Sequence, residues 1–282
     1  MKILTLGATG MAGHMITQYL RSQGHDVKTA ARQAKSSFCD HYFQANDVAS
    51  VDRLINDIDH SFDYVVNCVG LLVKDCQDRP DLAAMVNSWF PQYLAQKLKN
   101  HPAQILHIST DCVFDGSRGQ YIESDQTTEQ NFYGRSKSLG EINNNKDLTM
   151  RCSIIGPEIR IGTGLMDWFR YRSPDVVSGW ANAYWNGITT LQLAKCINGY
   201  VNQSERITGL YHLADNHCRI SKYNLLLLIN EVFQCHKIVE PVQLDQPIDK
   251  TIFDTRQCRD WAIPDLNTQL TELRNFNPFA HV

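Results

Sequence analysis

The chain has little net charge, no paired-cysteine motif and no long apolar run, and each absence removes a class of protein. Its 282 residues carry a formal charge of −3. With no basic excess there is no general polyanion signal, and nucleic acid is not expected as a partner. Nine cysteines are scattered at Cys39, Cys68, Cys76, Cys112, Cys152, Cys196, Cys218, Cys235 and Cys258. None forms a C-x-x-C pair and the number is odd, so free thiols in a reducing compartment are expected rather than zinc or disulfides. The ten histidines lack ligand spacing such as H-x-x-x-H, and no metal is expected. The longest later apolar run, 225–229, is far short of a membrane span. Residues 1–8 are mostly apolar, but Gly7, Gly10 and Gly13 interrupt them at once, and one lysine makes a poor leader. The expectation is a cytoplasmic protein with no membrane partner. There is no repeat, low-complexity tract or long linker.

What is present is an ordinary globular composition, 43% hydrophobic and 20% charged, in a chain long enough for one large α/β core with a smaller lobe. Apolar strands at 2–6, 26–30, 64–69, 105–109 and 148–154 alternate with helical patterns at 11–23, 48–57, 82–100 and 133–143. Strands spaced by helices imply parallel pairing through right-handed crossovers, hence α/β architecture with a doubly wound Rossmann sheet. After Gly156-Pro157 the rhythm changes, with short helices at 165–171 and 190–202, a strand at 209–213 and a helix at 221–233 capped by Ser221. The expected division is a dinucleotide-binding domain at 1–155 and an interleaved α/β substrate lobe at 156–282, of which about 186–205 returns to the first domain.

Three motifs carry chemistry. Gly7-x-x-Gly10-x-x-Gly13 follows a strand and opens a helix, with Thr9 and Met11 in the turn. Glycine allows the tight turn and a close approach of backbone to a pyrophosphate, which the helix N-terminus then meets with free N–H groups. An ordinary strand–helix turn has the same spacing. At the end of the second strand an acid would bond a ribose 2′-OH, whereas Thr29-Ala-Ala-Arg32, with Lys35 nearby, offers only cations. That favours NADP over NAD, although a solvated arginine reads the same way. Asp47, followed by Val48, suits either an adenine contact or a helix N-cap. Ser109-Thr110-Asp111 ends a strand, the edge at which doubly wound sheets bind ligands. Tyr133-Gly-Arg-Ser-Lys137 places a phenol and an ammonium one helical turn apart. The ammonium is expected to lower the phenol pKa and fit it for acid–base work near neutrality.

The order of Gly7-x-x-Gly10-x-x-Gly13, Asn67-Cys68-Val69-Gly70, Ser109-Thr110-Asp111-Cys-Val-Phe-Asp-Gly116 and Tyr133-x-x-x-Lys137-x-x-Gly-Glu141 resembles the extended short-chain dehydrogenase/reductase superfamily. Within it, the Ser-Thr-Asp-x-Val-Phe-x-Gly segment is similar to dTDP-4-dehydrorhamnose reductases and related sugar-nucleotide 4-ketoreductases. The resemblance implies NADPH as cofactor, with NADH admissible, and a nucleotide-sugar substrate. Thr110, Tyr133 and Lys137 would be catalytic: Tyr133 would protonate the alkoxide formed at C4, Thr110 would orient it, and Lys137 would bond the nicotinamide ribose. Asn67, Cys68, Val69 and Gly70 would line the adenosine side. The resemblance also makes a homodimer a candidate assembly.

The chain departs from that pattern where substrate belongs. Cys112 stands where the family has tyrosine, and Leu71-Leu-Val-Lys74 replaces an acid- and alanine-rich stretch. A UDP-linked 2-acetamido-2,6-dideoxy-4-hexulose is therefore an alternative to dTDP-4-dehydrorhamnose. Trp180, Tyr184 and Trp185 suit stacking on a base or sugar, or packing in a core. Lys74, Arg151, Arg160 and Arg172 are candidate diphosphate contacts, or surface charges. Asp111 adjoins Thr110 on the substrate side. His107 is expected to be a packed core histidine. Two further readings are a non-catalytic NADP-binding regulatory subunit and a sugar-nucleotide epimerase or dehydratase. A dehydratase needs Asp-Glu after the threonine, where this chain has Asp111-Cys112.

Overall fold

Residues 1–32, 39–58, 60–159, 162, 164–256 and 261–276 are described in the structure, a computed structural model. The chain lays down β1 (Lys2–Leu6), α1 (Met11–Ser22), β2 (Asp26–Ala31), β3 (His41–Tyr42), α2 (Val48–Asp57) and β4 (Tyr64–Asn67). Next come α3 (Val73–Asp78), α4 (Pro80–Ala83), a π-helical stretch at Ala84–Trp89, α5 (Phe90–Lys97), β5 (Gln104–Thr110), α6 (Phe132–Leu139), β6 (Leu148–Cys152) and β7 (Ile154–Ile155). The remainder is α7 (Leu165–Asp167), a second π-helical stretch at Trp168–Arg172, β8 (Val176–Trp180), β9 (Ala183–Trp185), β10 (Ile188–Thr189), α8 (Thr190–Val201), β11 (Gly209–His212), β12 (Ile220–Ser221), α9 (Lys222–Phe233), β13 (Ile238–Val242), β14 (Ile248–Asp249) and α10 (Leu266–Asn275).

The main sheet has seven strands in the order β11-β6-β5-β4-β1-β2-β3, and all its pairings are parallel. Helices cover both faces, which is why the strands read as continuous apolar runs. All seven residues of β5 are buried. Alternation along β1 sends Ile3 to one face, with Met15, Leu193 and Ile197, and Leu4 to the other, with Val51, Phe90 and Leu94. The first of these cores continues through Trp185 into Leu225, Ile229 and Leu270, so the second lobe shares it. In that lobe β12-β9-β14 and β13-β8 form two small sheets, with α9 packed on β8 and β13. Strand order reverses between β4 and β2 on either side of β1, so a crevice opens there at the C-terminal edge.

Three elements differ from their sequence patterns. The helix expected over 82–100 is interrupted by the π-helical stretch. The helix expected over 133–143 stops at Leu139, because Gly140 takes the C-cap and accepts no further turn. The strand at 209–213 is an edge of the main sheet, paired with β6, so the return to that sheet runs on past α8. Among the described residues no helix is long and apolar enough to cross a membrane, and no three His, Cys, Asp or Glu side chains gather as a metal site.

Candidate active site

The glycine turn is built by contact, not by flexibility alone. Gly7 lies at φ +75°, where a side chain would be strained, and its carbonyl accepts from the Gly10 amide at 2.9 Å. A Cβ on Gly13 would lie 2.2 Å from the Gly7 carbonyl oxygen, so α1 can start this close to the turn only with glycine there. Gly10 is the N-cap of α1 but supplies no side-chain cap, and the first turn holds no acid. The orphan N–H groups and the positive end of the helix thus face a cavity of about 330 Å³.

Gly7, Thr9, Gly10, Arg32, Cys68, Val69 and Gly70 all line that cavity. Gly13 lies beneath the turn and Met11 lies near Gly164; neither Gly13 nor Met11 lines the cavity. Arg32 is exposed at the rim beyond Ala31; Lys35 lies outside the described residues. Asn67 is buried as a brace: its Oδ1 accepts from the Val69 amide at 3.1 Å and its Nδ2 reaches His107 Nδ1 at 3.0 Å. Burial and the nearby Lys137 hold the His107 imidazole well below its usual pKa, so this core histidine is neutral. Asp47 caps α2 by accepting from the Ala49 amide at 3.1 Å, and neither it nor Val48 lines the cavity. Phe43, Ala45 and Asn46 form a wall that periodicity could not reveal, since the strand before them has two residues. Leu71, Leu82 and Val86 complete it.

β5 carries Ser109 and Thr110, candidates for the chemistry, to the same edge. Ser109 turns inward and donates to Glu141 Oε1 at 2.7 Å. Arg151 grips both oxygens of that carboxylate at 2.6 and 2.7 Å, with the pair almost fully buried. Thr110 faces the cleft, with its Oγ1 donating to Asp111 Oδ1 and accepting from the Cys112 amide, each at 3.1 Å. α6 is capped by Asn131, which accepts from the Gly134 amide at 2.9 Å. It is pinned by Ser88, which donates to the Ser136 carbonyl at 2.8 Å, and by Asn87, which donates to Ser136 Oγ at 3.1 Å. The π-helical stretch supplies both residues, a placement common at functional sites.

Tyr133 is half-buried and sits within electrostatic reach of Thr110. Burial is the main cause that raises its pKa above the usual value, and the neighbouring Thr110 hydroxyl offsets this only in part. The sequence predicts the opposite direction. The difference arises because Lys137 is buried and donates its Nζ to the Ile108 carbonyl at 2.8 Å, while burial lowers its own pKa. The resting phenol therefore holds its proton. The Cys112 thiol is pushed up to about 12 by burial and by Asp111, which leaves it no thiolate for nucleophilic work.

The substrate candidates divide. Asp111 is buried beside Thr110. Trp185 is 2% exposed in the main core, so packing, not stacking on a ligand, occupies its ring. Trp180 is 49% exposed on the outer face of β8. Tyr184 lies under the Arg219 guanidinium, 3.4 Å from its ring centre. Arg151 is committed to Glu141 and is closed to a diphosphate. Lys74 is exposed and paired with Asp78. Arg172 is exposed at the end of the second π-helical stretch, and Arg160 lies outside the described residues.

A parallel doubly wound sheet, a glycine turn on an uncapped helix and a Thr-Tyr-Lys set at the strand edge define the extended short-chain dehydrogenase/reductase class. The RmlD substrate binding domain model matches residues 1–155, and the chain belongs to that family. A probable low-salt glycan biosynthesis reductase of Haloferax volcanii is 34% identical over 138 residues, 48% of this chain and 46% of that protein. A dTDP-4-dehydrorhamnose reductase of Streptomyces griseus is 34% identical over 140 residues, 49% and 43% of the two chains. Methionine adenosyltransferase 2 subunit beta of Mus musculus is 30% identical over 142 residues, 50% and 41%. The matches span about half the length of these curated relatives. A crystal structure of dTDP-4-dehydrorhamnose reductase from Bacillus anthracis in complex with NADP superposes with a TM-score of 0.80 at 20% identity, covering 97% and 98% of the chains. A hypothetical dTDP-4-dehydrorhamnose reductase from Sulfolobus tokodaii gives 0.77 at 26% identity over 95% and 98%.

Proposed function

We propose that the protein is an NADPH-preferring reductase of the 4-keto group of a nucleotide-linked 6-deoxyhexose, either dTDP-4-dehydrorhamnose or a UDP-2-acetamido-2,6-dideoxy-4-hexulose. The observation that carries this is Thr110 at the end of β5, with Tyr133 and Lys137 on α6 packed against that strand and Lys137 Nζ held on the Ile108 carbonyl, close to Gly70 in the cavity of the glycine turn. That cavity fits a dinucleotide: Gly7, Thr9 and Gly10 present backbone to a pyrophosphate, and Gly13 keeps the approach open. Arg32 at its rim, with no acid among the described residues that line the cavity, supports a 2′-phosphate. A bound reduced nicotinamide supplies hydride to a carbonyl carbon.

The chain's own residues do the rest. Thr110 Oγ1 and Tyr133 Oη receive the carbonyl oxygen between them, and their donors strengthen as negative charge grows on it. Tyr133, held protonated by its burial, gives its proton to that oxygen. The Lys137 ammonium, fixed on the Ile108 carbonyl close to Gly70, is placed for a ribose hydroxyl. In the free protein the single Thr110 proton is donated to Asp111, and it turns from that carboxylate to the substrate oxygen when the oxygen arrives.

A cofactor-oxidation screen against dTDP- and UDP-linked 4-keto-6-deoxy sugars tests the substrate class. Tyr133→Phe should lower kcat by about 10²–10⁴, the usual worth of a positioned acid, with NADPH affinity nearly unchanged. Full activity in that variant would remove Tyr133 as the acid. A second reading, a non-catalytic regulatory subunit, is favoured by the likeness to methionine adenosyltransferase 2 subunit beta. A stoichiometric enzyme partner in a pull-down, with no turnover on any 4-keto sugar, would establish it instead.

A further inference from the structure

Lys222 is the first residue of α9, directly after the Ser221 cap. That is a poor place for a cation, because the helix dipole puts partial positive charge there. Its ammonium lies 5.1 Å over the Trp185 ring. Among the described residues it makes no hydrogen bond and no ion pair. The charge whose field reaches it from the cleft is Asp111, the residue after Thr110, so it looks into the same cleft from the second lobe. Asp111 does not neutralise it by contact, since that carboxylate is engaged with the Thr110 hydroxyl. Lys222 is half-buried, and burial presses its pKa down.

A second ammonium stands on the same wall and differs in one respect. Lys250 also feels Asp111, but it is neutralised by Glu129 at 2.6 Å. Lys222 lacks in the free protein the carboxylate that Lys250 has. Trp185 accounts for how the ammonium is held, through cation–π attraction, but not for its donors.

We infer that Lys222 is the cation that receives a phosphate oxygen of the nucleotide-sugar substrate, with Trp185 as the buried platform beneath it. This rests on the nucleotide-sugar reading above. It gives the buried Trp185 a supporting part in recognition, and it moves the diphosphate contact from the exposed Lys74 to the base of α9. A phosphate oxygen gives the ammonium the charge-assisted hydrogen bond it lacks in the free protein.

The test is titration of the full chain with dTDP and with UDP alone, followed by NADPH, in wild type, Lys222→Gln and Lys222→Arg. Lys222→Gln should weaken nucleoside diphosphate binding about tenfold or more, the loss of one charge-assisted bond. Lys222→Arg should restore most of it, and NADPH affinity should not change in either. Because Lys222 has no hydrogen-bond or ion-pair partner among the described residues to lose, the Tm of Lys222→Gln should stay close to that of wild type. Unchanged nucleotide affinity in Lys222→Gln, beside measurable wild-type binding, would overturn the role of Lys222 and leave the reductase reading standing. A lower Tm with loss of NADPH binding would show a structural lysine and overturn it too. Wild-type protein that binds neither dTDP nor UDP would instead remove the nucleotide-sugar reading, and this inference with it.

Discussion

Gly13→Ala isolates the glycine turn from the rest of the fold. The added methyl would lie 2.2 Å from the Gly7 carbonyl oxygen, 2.8 Å from the Gly7 carbonyl carbon and 2.9 Å from Ala8 Cα. All three are backbone atoms, so no rotamer change relieves the clash, and the turn must move away from α1. Overpacking of this kind costs about 1–3 kcal/mol. The displaced atoms are those that would meet a pyrophosphate, so the cost should appear largely as lost cofactor affinity. At 1.4 kcal/mol per decade this is roughly a five- to hundredfold rise in the Kd for NADPH. Gly24→Ala is the control. Gly24 sits at φ +82° with nothing within 4 Å of its would-be Cβ, so the change brings only left-handed strain of about 1–2 kcal/mol. It should lower Tm and leave NADPH binding alone. Titration calorimetry with NADPH, together with thermal melts, separates the two variants. A folded Gly13→Ala protein with wild-type affinity would refute the argument that this turn is the cofactor cradle.

Arg151→Met should destabilise the fold by about 3–5 kcal/mol in urea titrations, because it strands the buried Glu141 carboxylate; Arg151→Met with Glu141→Leu should recover most of that loss. His212 gives an acid-side signature. Burial, aided by Arg151 and opposed by Glu123, lowers its pKa to about 4 from an ordinary value near 6.5. The unfolded chain therefore takes up this proton before the folded one does. The stability tied to neutral His212 is complete above about pH 6.5 and is lost as pH falls toward 4. Urea midpoints should drop between pH 7 and pH 5, a window in which most carboxylates stay ionised, and His212→Gln should make that drop smaller without abolishing it, because burial also depresses His14 and His107. An equal drop in the variant would assign it to those two histidines.

What was legible in the sequence is what a short contiguous segment encodes. The buried strands of a parallel sheet announce themselves as apolar runs, and β1, β4, β5 and β6 are such runs. The glycine turn and the Tyr133-x-x-x-Lys137 face are local, so spacing alone places their backbone. β3 was not legible, because two residues have no period, and with it went the Phe43–Asn46 wall of the cavity. The π-helical stretch at Ala84–Trp89 has no compositional mark, since it differs from α-helix only in which carbonyl each amide meets. The direction of the Tyr133 pKa was misjudged for a related reason. Spacing puts the ammonium on the same helix face but does not say that it will turn to the Ile108 carbonyl.

The same division separates the reaction from its substrate. Thr110, Tyr133 and Lys137 come from one strand end and one helix that pack directly together, so their order along the chain already implies that they meet. The wall opposite them is drawn from β9, the start of α9 and the strand β14 with its neighbour Lys250, which meet only in the folded chain. Aromatic clustering in 180–185 could not say that Trp185 turns inward while Trp180 turns outward, because the two lie on different strands with opposite burial. A lysine at a helix start carries no local sign that its counter-charge is missing. That is a tertiary fact, and it is why the anion contact passed from Lys74, conspicuous in a departing motif, to Lys222, conspicuous only once its surroundings are assembled.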